Sequence, residues 1–245
     1  MKKEQAGGLM TKQALGVGIT WIGHGTVLYR SASGKNVLVD AWVDTNPVAT
    51  PESKTLPTID VVLLTHAHGD HIADLAAIVK KHDPDIVCIH EMAEYYERKG
   101  MKKVTGMCKG GTFTVQGIRV TMTNAVHSSS FDAGEALLPA GDPAGFVIEF
   151  ENGTRVYHAG DTAIFSDMNL IRDIYKPVIA ALPIGDHYTM GPLEASYAAK
   201  MLGVKTVLPI HHSTFPLLTG KPADLRKRLE GTGIEVLDVK PGQTV

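Results

Sequence analysis

Four residues of types that bind metal ions lie in the segment 65–71, Thr-His-Ala-His-Gly-Asp-His. In an extended loop, alternate residues point to the same side, so His66 and His68 can bind one ion together. Asp70 and His71 can then face a second ion. Neutral imidazole and carboxylate suit zinc, manganese and iron(II). Solvated loop histidines are the alternative interpretation, and helix capping explains Asp70 alone, but neither explains three histidines. The segment therefore predicts half of a site for two metal ions that activate water for hydrolysis.

The residues on either side of this segment predict the elements that position it. Residues 61–64, Val-Val-Leu-Leu, are aliphatic and too few for a helix, so they indicate a buried strand. Residues 72–79 carry apolar side chains at helical spacing. The segment thus lies on a loop between the end of a strand and the start of a helix. Loops held by a rigid scaffold in this way often carry catalytic and binding residues.

Three further candidates also follow predicted strands. His127 comes after a hairpin strand at 118–122, Asp161 after a hairpin that turns at Asn152-Gly153, and His211 after a strand at 206–210. Taken singly, a buried or capping role explains each of them. His212 competes with His211, because adjacent strand residues point to opposite faces and only one of them coordinates easily.

The composition indicates an ordinary globular protein. The chain has 245 residues, 44% hydrophobic and 20% charged, which favours a single domain over residues 14–245 after a flexible leader at 1–13. The two cysteines exclude a disulfide framework and a cysteine-rich zinc site. The net charge of −2 without a long basic block argues against nucleic-acid binding.

Membrane and export signals are also missing from the sequence pattern. No apolar run approaches the length that crosses a bilayer. Met1-Lys2-Lys3 resembles the start of a signal peptide, but a polar and glycine-rich stretch follows in place of an apolar one. We therefore expect a cytoplasmic protein without a membrane partner.

The rest of the chain predicts two β-rich halves, each followed by helices. Short strands before residue 40 indicate antiparallel sheet, and helices are expected at 91–99, 167–175, 192–202 and 223–229. Residues 46–57 and 131–145 are rich in proline or glycine and predict loops near the site. This order suggests two sheets with helices outside them.

Taken together, the candidates follow the order H-x-H-x-D-H, H, D, H, which resembles the metallo-β-lactamase superfamily. Further segments look like the branch of metal-dependent hydrolases related to the ascorbate-phosphate lactonases, and they lie at 22–24, 127–130, 158–162, 182–186 and 215–216. The resemblance covers nearly the whole chain from about residue 17.

The resemblance implies an α/β fold, a four-layer αββα sandwich with a dinuclear site at one edge of its two sheets. It further implies which residues hold each of two divalent ions. One ion is held by His66, His68 and His127, and the other by Asp70, His71 and His211, with Asp161 bridging. In this alignment His211, and not His212, is the ligand.

The resemblance also suggests residues that act beside the metals. His24 resembles a family histidine near the ions, and both a substrate or oxyanion contact and a structural hydrogen bond are open to it. His187 stands where we expect asparagine, and it is a further catalytic candidate together with Asp70. Asp40 and Asp186 are expected either to orient ligand imidazoles or to cap turns.

We therefore expect a dinuclear metal-dependent hydrolase. A metal-bridged hydroxide would attack a lactone, ester or phosphoester bond of a small polar metabolite, while Asp70 takes up and returns a proton. Zinc and manganese are the first candidates for the metal, and iron is also compatible. The resemblance is compatible with a homo-oligomer as well.

Other functions fit the sequence less well. A nuclease or phosphodiesterase of the same superfamily would use the same ions, but the near-neutral charge argues against it. A diiron oxygen or nitric oxide reductase would carry glutamate at the position of His68. Glyoxalase-type thioesterases and true β-lactamases match the flanking segments poorly. A non-catalytic metal-binding scaffold is the remaining alternative, although all seven ligand types are present.

Overall fold

Two β-sheets form the centre of the protein in the computed structural model, which describes residues 15–245. The predicted leader therefore lies outside the described residues. The first sheet has six strands in chain order: β1 (Gly18–Gly23), β2 (Thr26–Arg30), β3 (Asn36–Val39), β4 (Val61–Leu63), β5 (Asp85–Ile89) and β6 (Val104–Met107). Strand β2 pairs antiparallel with both β1 and β3, and the strands from β3 to β6 are parallel.

The second sheet repeats this division into an antiparallel and a parallel half. Its strand order is β15-β14-β13-β12-β11-β8-β7. The antiparallel half contains β7 (Thr112–Val115), β8 (Ile118–Asn124), β11 (Ala144–Glu149) and β12 (Arg155–His158). Parallel pairing continues from β12 through β13 (Ile179–Pro183), β14 (Thr206–Ile210) and β15 (Glu235–Val236). A separate ribbon is formed by β9 (Ser130–Asp132) and β10 (Leu137–Pro139).

Seven helices of the described chain connect these strands. They are α1 (Pro51–Lys54), α2 (Gly69–Ile72), α3 (Leu75–His82), α4 (His90–Arg98), α5 (Met168–Tyr175), α6 (Pro192–Leu202) and α7 (Pro222–Leu229). Among residues 15–245, no helix combines the length and the apolar character needed to cross a membrane.

The two sheets share one apolar core, and helices cover their outer faces. Because side chains alternate along a strand, Val156 faces the core between the sheets and its neighbour Tyr157 faces the helices. Helices α3 and α4 pack against the first sheet, while α5, α6 and α7 pack against the second. The predicted αββα sandwich is confirmed. The shared core supports a single domain, which remains a prediction.

Three segments differ from their predicted structure. Residues 51–54, inside a predicted loop, form the one-turn helix α1, whose first turn is capped by the Thr50 side chain. The predicted loop at 131–145 includes the β9–β10 ribbon. The expected single helix at 72–79 is divided into α2 and α3 at 73–74. Since α2 begins at Gly69, the Asp70 and His71 side chains leave from a helical turn.

Candidate metal centre

The candidate ligands lie beyond the carboxyl ends of strands from both sheets. Segment 65–71 follows β4 of the first sheet, whereas Asp161 and His211 follow β12 and β14 of the second. His127 follows β8 in the antiparallel half. In parallel sheets these strand ends meet at one edge. The structure thus brings the candidates from two sheets to one place.

The carboxylate of Asp161 lies at the centre of the site. Its Oδ2 atom is near the Nε2 atoms of four imidazoles: 3.0 Å from His211, 3.3 Å from His71, 3.7 Å from His127 and 3.9 Å from His66. These histidines belong to both of the ligand groups that the resemblance implied. Asp161 therefore stands between the two groups, as a bridging carboxylate would.

His66, His68 and His127 form the first group. One ring nitrogen from each lies within 4.8 Å of the others, and His66 Nε2 is 3.0 Å from His68 Nδ1. Two serines hold this loop. Ser129 accepts a hydrogen bond from the Ala67 backbone amide at 3.2 Å, and Ser128 Oγ lies 3.4 Å from His68 Nε2. These contacts suit a supporting role for the serines.

The second group contains the three expected residues and His24. Donor atoms of His24, Asp70, His71 and His211 all lie within 4.8 Å of one another. His24 Nε2 is 3.0 Å from Asp70 Oδ2, and its Nδ1 is 3.0 Å from Thr214 Oγ1. Because His24 is fully buried, its contacts are with protein groups of the site.

His212 points away from both groups. Its ring stacks on Trp21 with centroids 4.6 Å apart, and its Nδ1 lies 3.0 Å from Ser213 Oγ. The adjacent His211 turns toward Asp161 from a backbone with a φ of 52°. Of the two neighbours, the structure brings His211 to the candidate donors.

Asp40 orients His71 and the start of the ligand loop. Its Oδ2 lies 2.6 Å from His71 Nδ1, and its Oδ1 accepts a 2.9 Å hydrogen bond from the Thr65 backbone amide. The Thr65 hydroxyl is also 3.0 Å from His66 Nδ1. A carboxylate in this position directs the other ring nitrogen, Nε2, toward Asp161. Of the two roles open to Asp40, the contacts are those of orientation.

Asp186 and His187 lie outside this network. The Asp186 carboxylate accepts a 2.7 Å hydrogen bond from the His187 backbone amide, which is a turn-capping contact. The exposed His187 ring packs edge-on against Tyr188, with centroids 4.4 Å apart. The structure does not bring His187 to the candidate donors, and the residue that reaches the cavity from this loop is Tyr188.

Burial and neighbouring charges prepare the side chains as donors. Burial lowers the pKa values of His66, His68 and His127, so their imidazoles are neutral at pH 7 and keep a lone pair. Burial opposes the charge on Asp161, but His211 and His71 outweigh it and hold the carboxyl pKa well below its usual range. Burial also opposes a charge on His71, but Asp161 and Asp40 outweigh it and raise the pKa of its imidazole well above the usual value, so His71 would release a proton on binding a cation. The site therefore offers neutral nitrogen at His66, His68 and His127 and ionised oxygen at Asp161.

Two buried atoms at the centre fit a metal ion better than they fit the protein alone. Asp161 Oδ1 has no hydrogen-bond partner in the described part of the chain, and His71 Nε2 makes no well-aligned hydrogen bond although Asp161 Oδ2 lies 3.3 Å away. Leaving such atoms unpaired is costly. A cation held by the surrounding nitrogens and oxygens would satisfy them, and the donor types suit zinc, manganese or iron.

A cavity of about 630 Å³ opens onto the donors. His68, Asp70, His127, Asp161 and His211 line one part of it, and the rest is formed mainly by Tyr188 and the segment 215–217. A groove of about 910 Å³ lies elsewhere, between Asp186 and α7. Since no candidate ligand lines that groove, we assign the reaction to the smaller cavity.

Sequence reasoning missed Thr65, Thr214 and Tyr188 as parts of the site. Thr65 precedes the first ligand histidine, so its position was a usable signal. Tyr188 and Thr214 reach the site only through tertiary folding, and no motif indicated them.

Comparison with known proteins agrees with this site. A model of the beta-lactamase superfamily domain matches residues 35–212. A UPF0173 metal-dependent hydrolase from Koribacter versatilis is 47% identical over 229 residues, covering 94% of this chain and 97% of that protein. Another from Roseiflexus sp. is 44% identical over 234 residues, covering 93% and 96%.

Similarity to a solved structure extends over the whole fold. Igni18, described as a novel metallo hydrolase from the hyperthermophilic archaeon Ignicoccus hospitalis, matches with a TM-score of 0.83 and 34% identity. The match covers 94% of this chain and 97% of that one. The predicted relationship is thus confirmed: the chain belongs to the metallo-β-lactamase superfamily and, within it, to the UPF0173 metal-dependent hydrolases.

Proposed function

We propose that this hydrolase holds two divalent metal ions and cleaves a lactone, ester or phosphoester bond in a small molecule. The observation that carries the proposal is the Asp161 carboxylate, whose Oδ2 lies within 3.0–3.9 Å of four imidazole Nε2 atoms. His66, His68 and His127 would hold one ion. Asp70, His71 and His211 would hold the other, with Asp161 between them.

The chemistry of such a pair of ions is hydrolytic. When bound, two divalent ions lower the pKa of water from 15.7 to about 7 and polarise the substrate oxygen. The protein supplies orientation: Asp40 fixes the His71 ring through Nδ1, and His24 holds Asp70 through Oδ2. Both contacts leave the opposite donor atom directed at the site.

Asp70 has a second role in this proposal. It lines the cavity, and its Oδ1 atom accepts no hydrogen bond from the described residues, whereas Oδ2 is paired with His24. Since Oδ2 is paired, Oδ1 is the atom that would bind the ion and, when released from it, take up the proton of the attacking water and return it to the leaving group.

Elemental analysis of purified protein, reconstituted in turn with zinc, manganese and iron(II), tests the proposal. We expect about two equivalents of one metal and turnover of at least one compound in a panel of lactones, carboxylic esters and phosphodiesters. His66→Ala and His211→Ala should each lose metal and activity.

The matched control is His212→Ala, which removes a neighbouring imidazole that stacks on Trp21. This variant should keep both metals. Less than one equivalent of metal after reconstitution, or metal loss in His212→Ala but not in His211→Ala, would overturn the assignment.

A further inference from the structure

The cavity above the candidate donors has a second part that plays no role in holding metal. Tyr188, Phe215, Pro216 and Leu217 form it, and we call these four residues the apolar wall. They come from two loops, one after β13 and one after β14. The second loop also carries His211, so the wall lies at the same edge of the second sheet as the donors.

The apolar wall is open to solvent. Exposure is 52% for Tyr188, 51% for Leu217 and 37% for Phe215. A group of large apolar side chains left uncovered beside a reactive site marks a surface that a ligand covers. Burying it against an apolar substituent is favourable because apolar area leaves water.

The base of the wall is fixed to the site itself. The Phe215 ring stacks on Trp42, with centroids 6.0 Å apart, and meets the edge of His24 at 5.5 Å. His24 in turn holds Asp70 at 3.0 Å. The position of a group resting on Phe215 is thus coupled to the position of a candidate donor.

Apart from the proposed metal ions, the cavity offers a phosphate group no positively charged partner among the described residues, which favours an uncharged substrate. Its lining, within the part of the chain that the structure describes, contains no lysine or arginine, and its acidic groups are Asp70 and Asp161. Phosphate is normally recognised by arginine, lysine or the start of a helix. Lys227 and Arg228 line the separate groove instead.

We propose that the apolar wall is the subsite for an aliphatic or aromatic substituent of an uncharged carboxylic ester or lactone. This inference rests on the proposed hydrolase function and narrows its substrate class, away from the polar metabolite that the sequence suggested. Hydrolysis breaks the bond between the carbonyl carbon and the ring or alkoxy oxygen. The carbonyl carbon gains the oxygen of water and the departing oxygen takes one of its protons, so an ester gives a carboxylic acid and an alcohol, and a lactone gives one hydroxy acid.

The first test measures turnover of γ-lactones that carry a methyl, propyl or hexyl side chain by the metal-loaded protein. We expect kcat/KM to rise at least tenfold from methyl to hexyl, and p-nitrophenyl phosphate to be turned over at least a hundredfold less well than the hexyl lactone. In Leu217→Ser, kcat/KM for the hexyl lactone should exceed kcat/KM for the methyl lactone by less than threefold. The matched control is Leu137→Ser, at a leucine that is 70% exposed on β10 and outside the cavity, and its ratio should equal that of the wild type.

The second test measures binding without turnover. Trp42 contacts Phe215, so its fluorescence reports on 2-alkylcyclopentanones, which mimic lactones but are not hydrolysed, in metal-free protein. The hexyl compound should bind at least fivefold more tightly than the methyl compound, and Leu217→Ser should remove the difference.

The two tests separate the two proposals. Chain-length-dependent binding without turnover of any ester, lactone or phosphoester would support the subsite and overturn the hydrolytic function. Turnover that ignores chain length, or that favours the phosphate ester, would overturn the subsite and leave the hydrolase intact.

Discussion

The Nε2 atom of His24 lies 3.0 Å from Oδ2 of Asp70. His24 is fully buried and does not line the cavity, so of the two roles open to it in the sequence, the protein contact is the one the structure favours. We therefore propose that His24 is a positioning residue, which acts on the reaction through Asp70.

We expect His24→Ala to weaken metal binding by about 10–100-fold, because Asp70 loses the group that holds it. His24→Gln, which keeps a donor near Asp70, should recover part of the affinity. Competition with a chromophoric chelator measures both values. Unchanged affinity in His24→Ala would show that Asp70 needs no support from this side.

Asp40→Asn tests the orientation of His71. The Asp40 carboxylate accepts from both His71 and Thr65, and an amide replaces one of its oxygens with a donor. We expect metal affinity to fall by about 10–100-fold. Asp186→Asn is the control, because that carboxylate contacts only backbone near His187. Equal affinities in the two variants would contradict the orienting role.

Gly25→Ala tests the close approach of the β1–β2 turn to His71. A methyl group at position 25 would lie 2.5 Å from His71 Cε1, whereas at Gly69, between two candidate ligands, it meets nothing within 4 Å. We expect Gly25→Ala to lose metal and Gly69→Ala to keep it, although Gly69 is nearer in sequence. Elemental analysis measures the metal content of both proteins. Metal loss in Gly69→Ala but not in Gly25→Ala would contradict the prediction.

Because of the buried His158, we expect the free energy of unfolding to fall in acid. Burial lowers the pKa of its imidazole to about 4, whereas an unfolded histidine titrates near 6.5. Between these values the unfolded chain binds a proton that the folded chain does not, so the free energy of unfolding falls as the pH is lowered. For this group the loss is about 2 kcal/mol between pH 7 and pH 5.

Urea unfolding of metal-free protein at the two pH values measures this loss. His158→Asn keeps a partner for the Tyr29 hydroxyl, which lies 3.0 Å from His158 Nδ1, but it has no titrating ring. Its stability should change less with pH than that of the wild type. If the free energy of unfolding changes equally with pH in the two proteins, groups other than His158 cause the acid sensitivity.

The ligand candidates were predictable because their chemistry is local. Three histidines and an aspartate within 65–71 are hard to explain by solvation or capping, and the later candidates follow recognisable strands. The choice between His211 and His212 depended on family alignment, and the ring directions in the structure agree with that choice.

The surroundings of the site were less predictable because they depend on unusual backbone and on contacts between distant segments. His24, Asp40, Asp186 and His211 all adopt positive φ values between 52° and 65°, which L residues rarely do. Such conformations aim a side chain in a direction that no periodicity indicates. His187 was a candidate because it stands where the resemblance leads us to expect asparagine, but its backbone has a φ of 60° and its neighbour Tyr188 is the residue that lines the cavity.

The meeting of two sheets at Asp161 also has a mechanical consequence. His66 and His71 belong to the first sheet, whereas Asp161 and His211 belong to the second, so ions bound among them would act as a cross-link between the two halves. Ions that bind only the folded arrangement stabilise it in proportion to their affinity and concentration. Metal would thus add to the shared apolar core at the open edge of the sandwich, and chelation would lower the free energy of unfolding.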